Sequence, residues 1–129
     1  MELLEDVVVL WTTEWWDGPV RGVATGGNRH YWFDAVFDQA TDEFVDPRRL
    51  VVYELTEEEY AQEAERHKRW EEAGGTSYCF HLPVEQRAYP SMNNADALRF
   101  DEEERVRPRP DYTSREPSGW FVPGSLRRF

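Results

Sequence analysis

Seven aromatic residues, Trp11, Trp15, Trp16, Tyr31, Trp32, Phe33 and Phe37, crowd into 27 residues of this chain. The aliphatic content around them is thin. Leu, Val and Phe together number 27 and isoleucine is absent, which only just clears the level at which chains stay disordered. The core must therefore be built from rings. Of the 19 Phe, Trp and Tyr residues, 13 lie between Trp11 and Phe80, and each can bury roughly 150–250 Å². A chain of 129 residues has room for one domain, and a domain of that size buries somewhat over half of its unfolded surface without needing staples.

The spacing of these rings points to strands. From His30 to Asp38, Tyr31, Phe33, Ala35 and Phe37 share one parity, while His30, Trp32, Asp34 and Asp38 share the other, with Val36 the exception. That alternation predicts a strand with the first set facing the core and Trp32 facing outward beside Asp34. Val7 to Thr13 is β-branched and apolar, the composition of a pleated, half-buried surface. Val20 to Thr25 reads as a second strand after Asp17-Gly18-Pro19, and Gly26-Gly27-Asn28 supplies a tight turn. Leu50 to Leu55 makes a fourth strand.

Thr56 followed by Glu59 fits a capping box, and Glu57, Glu58 and Glu59 complement the positive end of a helix. The helix is predicted to run to Ala73, where Gly74-Gly75 offers a stop. Tyr60, Ala64, His67 and Trp70 form its modest apolar stripe. Tyr78, Phe80 and Leu82 then alternate with Ser77, Cys79 and His81, a fifth strand that Pro83 ends. Hairpin-length links between the early strands imply antiparallel pairing. The expected fold is α+β: a small curved antiparallel sheet in the order β-β-β-β-α-β with one helix packed on it, a small SH3-like barrel being one way for it to close.

Charge divides the chain. Residues 1–60 carry 14 acids and 4 bases, residues 61–104 carry 10 and 5, and residues 105–129 carry 2 and 6. Four of the eight prolines, Pro108, Pro110, Pro117 and Pro123, fall in the last stretch. The sequence thus predicts a body over 1–104 and a basic, proline-rich extended tail over 105–129. That tail has the makings of a ligand for its own body, with Arg107, Pro108 and Pro110 along an acidic, aromatic surface and Trp120 and Phe121 as an anchor.

A net charge of −11 opposes phosphate backbones, so no nucleic-acid partner is expected. A basic or proline-rich protein partner is favoured instead, a second copy of the chain included. One cysteine excludes a disulfide framework and any cysteine-rich zinc module. An acidic start and the lack of a long apolar run argue for a soluble, reducing, cytoplasmic setting without a membrane. No cofactor and no metal is called for. Asp34, Asp38, Asp42 and Asp46 lack the alternate ligands and central glycine of a calcium loop.

The candidate binding surface is the aromatic, acidic face: Trp15, Trp16, Trp32, Asp34 and Asp38. It suggests a non-enzymatic interaction module of inhibitor, immunity or adaptor type. The alternative is a small enzyme or metal-dependent protein using Cys79, His81 and His67, in which a thiol and imidazoles would serve as nucleophile and base or as ligands.

Overall fold

The computed structural model describes residues 1–15, 18–72 and 109–123. β1 (Val8–Trp15), β2 (Pro19–Gly26), β3 (Arg29–Ala35) and β6 (Leu50–Leu55) are the long strands, and β4 (Phe37–Asp38) with β5 (Glu43–Phe44) forms a small separate hairpin. α1 (Glu57–Glu72) follows, and then a single 3₁₀ turn (Tyr112–Ser114) and β7 (Gly119–Phe121). One sheet has the order β1-β2-β3-β6-β7, every neighbour antiparallel. The protein is thus α+β, the described residues placing one helix on a mostly antiparallel sheet. Among the described residues no closed barrel is formed. The fifth strand expected over 76–82 lies outside the described residues.

The sheet is nevertheless strongly curled. On the outer side of β7, Leu4 N–H donates to the Trp120 carbonyl at 2.8 Å and Trp120 N–H donates to the Glu2 carbonyl at 3.0 Å. Laid flat at about 4.8 Å per strand, this arrangement would set residues 2–4 about 24 Å from β1. The chain from Leu4 to Val8 can reach only about 14 Å. The two edges must therefore bend toward each other.

Strand parity sorts the core into two clusters in β2, β3 and β6, while the register shift between Val9 and Trp11 puts these same-parity residues of β1 on opposite faces. Val9, Ala24, Tyr31, Phe33, Leu50, Val52 and Phe121 fill the concave side. Trp11, Val23, Trp32, Leu55 and Tyr112 pack on the opposite face, beneath Tyr60 and Ala64 of α1. The capping box forms as the sequence predicts: Thr56 N–H donates to Glu59 Oε1 at 2.9 Å and Glu59 N–H donates to Thr56 Oγ1 at 3.1 Å.

Two expectations are corrected. Phe37 does not join the core but stands 45% exposed, its ring edge-on to Phe44 at 5.1 Å. The chain leaves the sheet after Ala35, with Val36 N–H donating to the Arg49 carbonyl, so the alternation that ran through Tyr31 and Phe33 is reset. The second concerns residues 109–123, which composition assigns to a tail. They supply a strand to the sheet and two of its most buried side chains, Tyr112 and Phe121, each 1% exposed.

Candidate binding face

Cross-strand register lays out the outer face of the sheet in rows. The middle row is Trp11, Val23, Trp32 and Tyr53. The next row toward the sheet's end is Glu14, Arg21, Asp34, Val51 and Trp120. α1 and the 109–115 segment cover most of the middle row. The end row is less covered: Glu14 and Arg21 are about half exposed, Asp34 partly so, and Val51 is buried.

The cover is held by charge. Glu63, only 2% exposed, accepts from Arg109 Nε at 2.9 Å to both carboxylate oxygens and from the Tyr112 hydroxyl at 2.7 Å. Arg66 Nη1 adds a longer contact at 3.4 Å. The Arg109 guanidinium lies 4.8 Å over the Trp32 ring, and Tyr112 packs against Trp32 at 5.3 Å. Burial and the hydrogen bond to Glu63 push the Tyr112 phenol well above its usual range. One turn earlier, Arg115 makes a two-pronged pair with Glu59 at 2.8 and 2.8 Å and lies 5.3 Å over the Tyr112 ring. That arginine holds the Glu59 carboxyl down at about 2, from an ordinary value of 4.5.

The sign of this linkage fixes an acid window. A carboxyl depressed in the folded state contributes stability that is whole above its unfolded value and lost as pH falls through the folded one. The Glu59–Arg115 contribution is therefore expected to disappear between pH 4.5 and about 2. Comparing the melting temperature of the wild type with Glu59→Gln across that range checks it. The gap between the two proteins should narrow steadily toward pH 2, and a constant gap would contradict the pairing.

At the open end, a cleft of about 300 Å³ is lined by Asp34, Ala35, Val36, Val51, Tyr53 and Thr113. Arg21 bridges Glu14 and Asp34, with Nε at 3.0 Å from Asp34 Oδ2. Even so, burial raises the Asp34 carboxyl above its ordinary value, and the charges of Glu14 and Asp111 act in the same direction. Tyr53 is raised by burial and by the same acids, Asp34 and Asp111. Asp111 is fixed by accepting from Thr113 N–H at 3.1 Å and from the Thr113 hydroxyl at 2.6 Å. The 109–115 segment therefore builds one wall of the cleft.

The sequence-predicted residues separate here. Asp34 lines the cleft. Trp32 has the predicted parity, yet it is 4% exposed and sealed beneath Tyr112 and Arg109, so its expected outward exposure is corrected. Asp38 sits away in the β4–β5 hairpin, where its carboxylate accepts from Ala40 N–H at 2.9 Å. Trp15 pairs with Pro19 through its backbone at the end of β1. Its side chain and Trp16 lie outside the described residues. So do Arg107 and Pro108, whereas Pro110 lies exposed in the covering segment. Trp120 sits half-buried in the end row with the Arg49 guanidinium 4.7 Å over its ring. Phe121 is in the concave core.

Cys79 and His81 also lie outside the described residues. His67 stacks on Trp11 at 4.6 Å and pairs with Glu71 at 2.5 Å. Burial holds its imidazole below the ordinary value against the pull of Glu71. Among the described residues no group of three or more His, Cys, Asp or Glu side chains gathers to hold a metal ion, and no helix is long and apolar enough to cross a membrane.

Sequence reasoning missed Glu63, Tyr53 and Thr113. Glu63 carried a signal: it lies on the same helical stripe as Tyr60, Ala64 and His67, where an acid needs a buried partner. Comparison with protein-family models, with curated proteins and with solved structures gives no match to this chain.

Proposed function

We propose that this chain is a non-enzymatic interaction module of inhibitor, immunity or adaptor type, which takes a basic or proline-rich segment of a protein partner on its acidic, aromatic face. One observation supports the reading above the rest. The face already holds such a segment in cis: Arg109 rests on Trp32 of the sheet and Glu63 of α1, and Arg115 pairs with Glu59 of α1, with Pro110 between them in the chain. A surface that accommodates its own basic stretch has the chemistry to accept another, and the cleft beside Asp34 is where that chemistry stays open. An SH3-like curvature would suit the role, since extended proline-rich peptides dock in aromatic-lined grooves. The net charge of −11 adds long-range attraction for a basic partner in a reducing, cytoplasmic setting.

A peptide panel tests the reading. The full chain is titrated with basic, proline-rich, acidic and neutral ten-residue peptides and with a peptide of its own residues 105–129. Basic and proline-rich members should bind, the basic ones weakening as salt rises. Equal binding of acidic peptides, or none by the basic set, would overturn it.

A further inference from the structure

Guanidinium groups meet rings throughout this protein. Arg48 lies 4.4 Å over Phe44, Arg49 over Trp120, Arg109 over Trp32 and Arg115 over Tyr112. In the last two a carboxylate completes the arrangement, Glu63 for Arg109 and Glu59 for Arg115. The cleft presents the same two elements again. Tyr53 supplies a ring and Asp34 a carboxylate, both on its lining. Here the carboxylate's cation, Arg21, is not the one that would stack on the ring. Arg21 reaches Asp34 sideways from β2 through Nε to Oδ2, and among the described residues no guanidinium lies over Tyr53.

We infer that this cleft is a subsite for one arginine side chain of an extended partner segment, stacked on Tyr53 and paired with Asp34. The inference rests on the reading of the chain as a module for basic segments and names what that site selects. Three further features favour the occupant. Asp34 spends only Oδ2 on Arg21, and among the described residues no donor reaches its Oδ1. Asp111 adds a second negative charge near both Asp34 and Tyr53. The depression, about 300 Å³ and open to solvent, has room for a side chain. A planar guanidinium can lie flat on the ring while an edge N–H donates to Oδ1, whereas an ammonium presents no plane to stack.

The probe is the pentapeptide acetyl-Pro-Pro-Arg-Pro-Pro-amide, titrated into the full isotope-labelled chain and followed by amide chemical shifts. Shifts should concentrate at residues 34–36, 51–53 and 113. Replacing the probe's arginine by lysine should weaken binding about 5-fold or more, and replacing it by uncharged citrulline should abolish it. Asp34→Asn and Tyr53→Leu should each weaken binding about 10-fold. Arg21→Gln, which frees Asp34, should tighten it. Equal binding of the lysine peptide, or weakening by Arg21→Gln, would overturn the arginine subsite. If basic peptides bind but Asp34→Asn and Tyr53→Leu leave their affinity unchanged, the subsite fails while the broader reading stands. If no basic peptide binds at all, both fail.

Discussion

Phe121→Ala is expected to destabilise the protein by about 3–5 kcal/mol, the range for removing a buried phenylalanine from a packed core. In melting temperature that is roughly 10 °C or more for a domain of this size. The ring is 1% exposed and meets Phe33 edge-on at 6.3 Å, among Leu50, Val52 and Ala35. Little room exists for neighbours to collapse, because β7 is pinned on both sides. Its backbone pairs with β6, and Trp120 exchanges hydrogen bonds with residues 2–4. Were 109–123 an accessory tail, the substitution would scarcely move the unfolding midpoint. Thermal or urea unfolding decides, and a shift under about 1 kcal/mol would contradict the packing.

Glu63→Ala is expected to cost about 3 kcal/mol. Breaking a buried ion pair from one side costs about 3–5 kcal/mol, because the remaining partners stay desolvated without compensation. Tyr112 pulls the value up, since its hydroxyl would lose a 2.7 Å acceptor at a fully buried site. Arg109 pulls it down, since 30% of its side chain reaches solvent and can recover hydration. Exchanging the group as a whole has a different outcome. Replacing Glu63, Arg109 and Tyr112 together by Leu, Met and Phe removes every desolvated partner but Arg66, and should restore most of the lost stability. Urea midpoints of the single and triple variants measure both effects. If the triple variant were no more stable than Glu63→Ala, the cost would not lie in stranded polar groups.

These two residues also show which levels of the structure were legible in the sequence. β-Branched composition, turn signals, period-two alternation and a capping box located β1, β2, β3, β6 and α1, because each is set by neighbours in the chain. Parity likewise put Trp32 and Asp34 on one face. Exposure could not be read that way. Whether Trp32 meets water depends on Tyr112, which lies 80 residues further along, and on Arg109 held by Glu63. Composition misled in the same region. Arginines and prolines mark a solvated tail when counted, but Arg109 and Arg115 are each paired with an acid of α1, and Tyr112 and Phe121 carry the segment into the core. Phe37 was misplaced for a local reason: Val36, the exception to the alternation, is the mark that the departure from the sheet after Ala35 leaves in the sequence, and parity was followed past it. The cleft was half legible. Asp34 was singled out, whereas Tyr53 and Thr113 reach it only through strand register and docking of the C-terminal segment.

That docking links stability to recognition. Thr113 lines the cleft and Asp111 supplies part of its field, and both are positioned by the contacts of Tyr112 and Arg109 with Glu63. A ligand that needs the assembled cleft stabilises the assembled state in proportion to its occupancy.

Amide hydrogen exchange on the full chain, with and without a saturating arginine-bearing peptide, probes the central claim most directly. Slowing greatest at residues 34–36, 51–53 and 111–113, above any general slowing that comes from added stability, is the predicted result. Slowing centred on the Phe37–Phe44 hairpin, or no change at saturation, would place recognition elsewhere and contradict it.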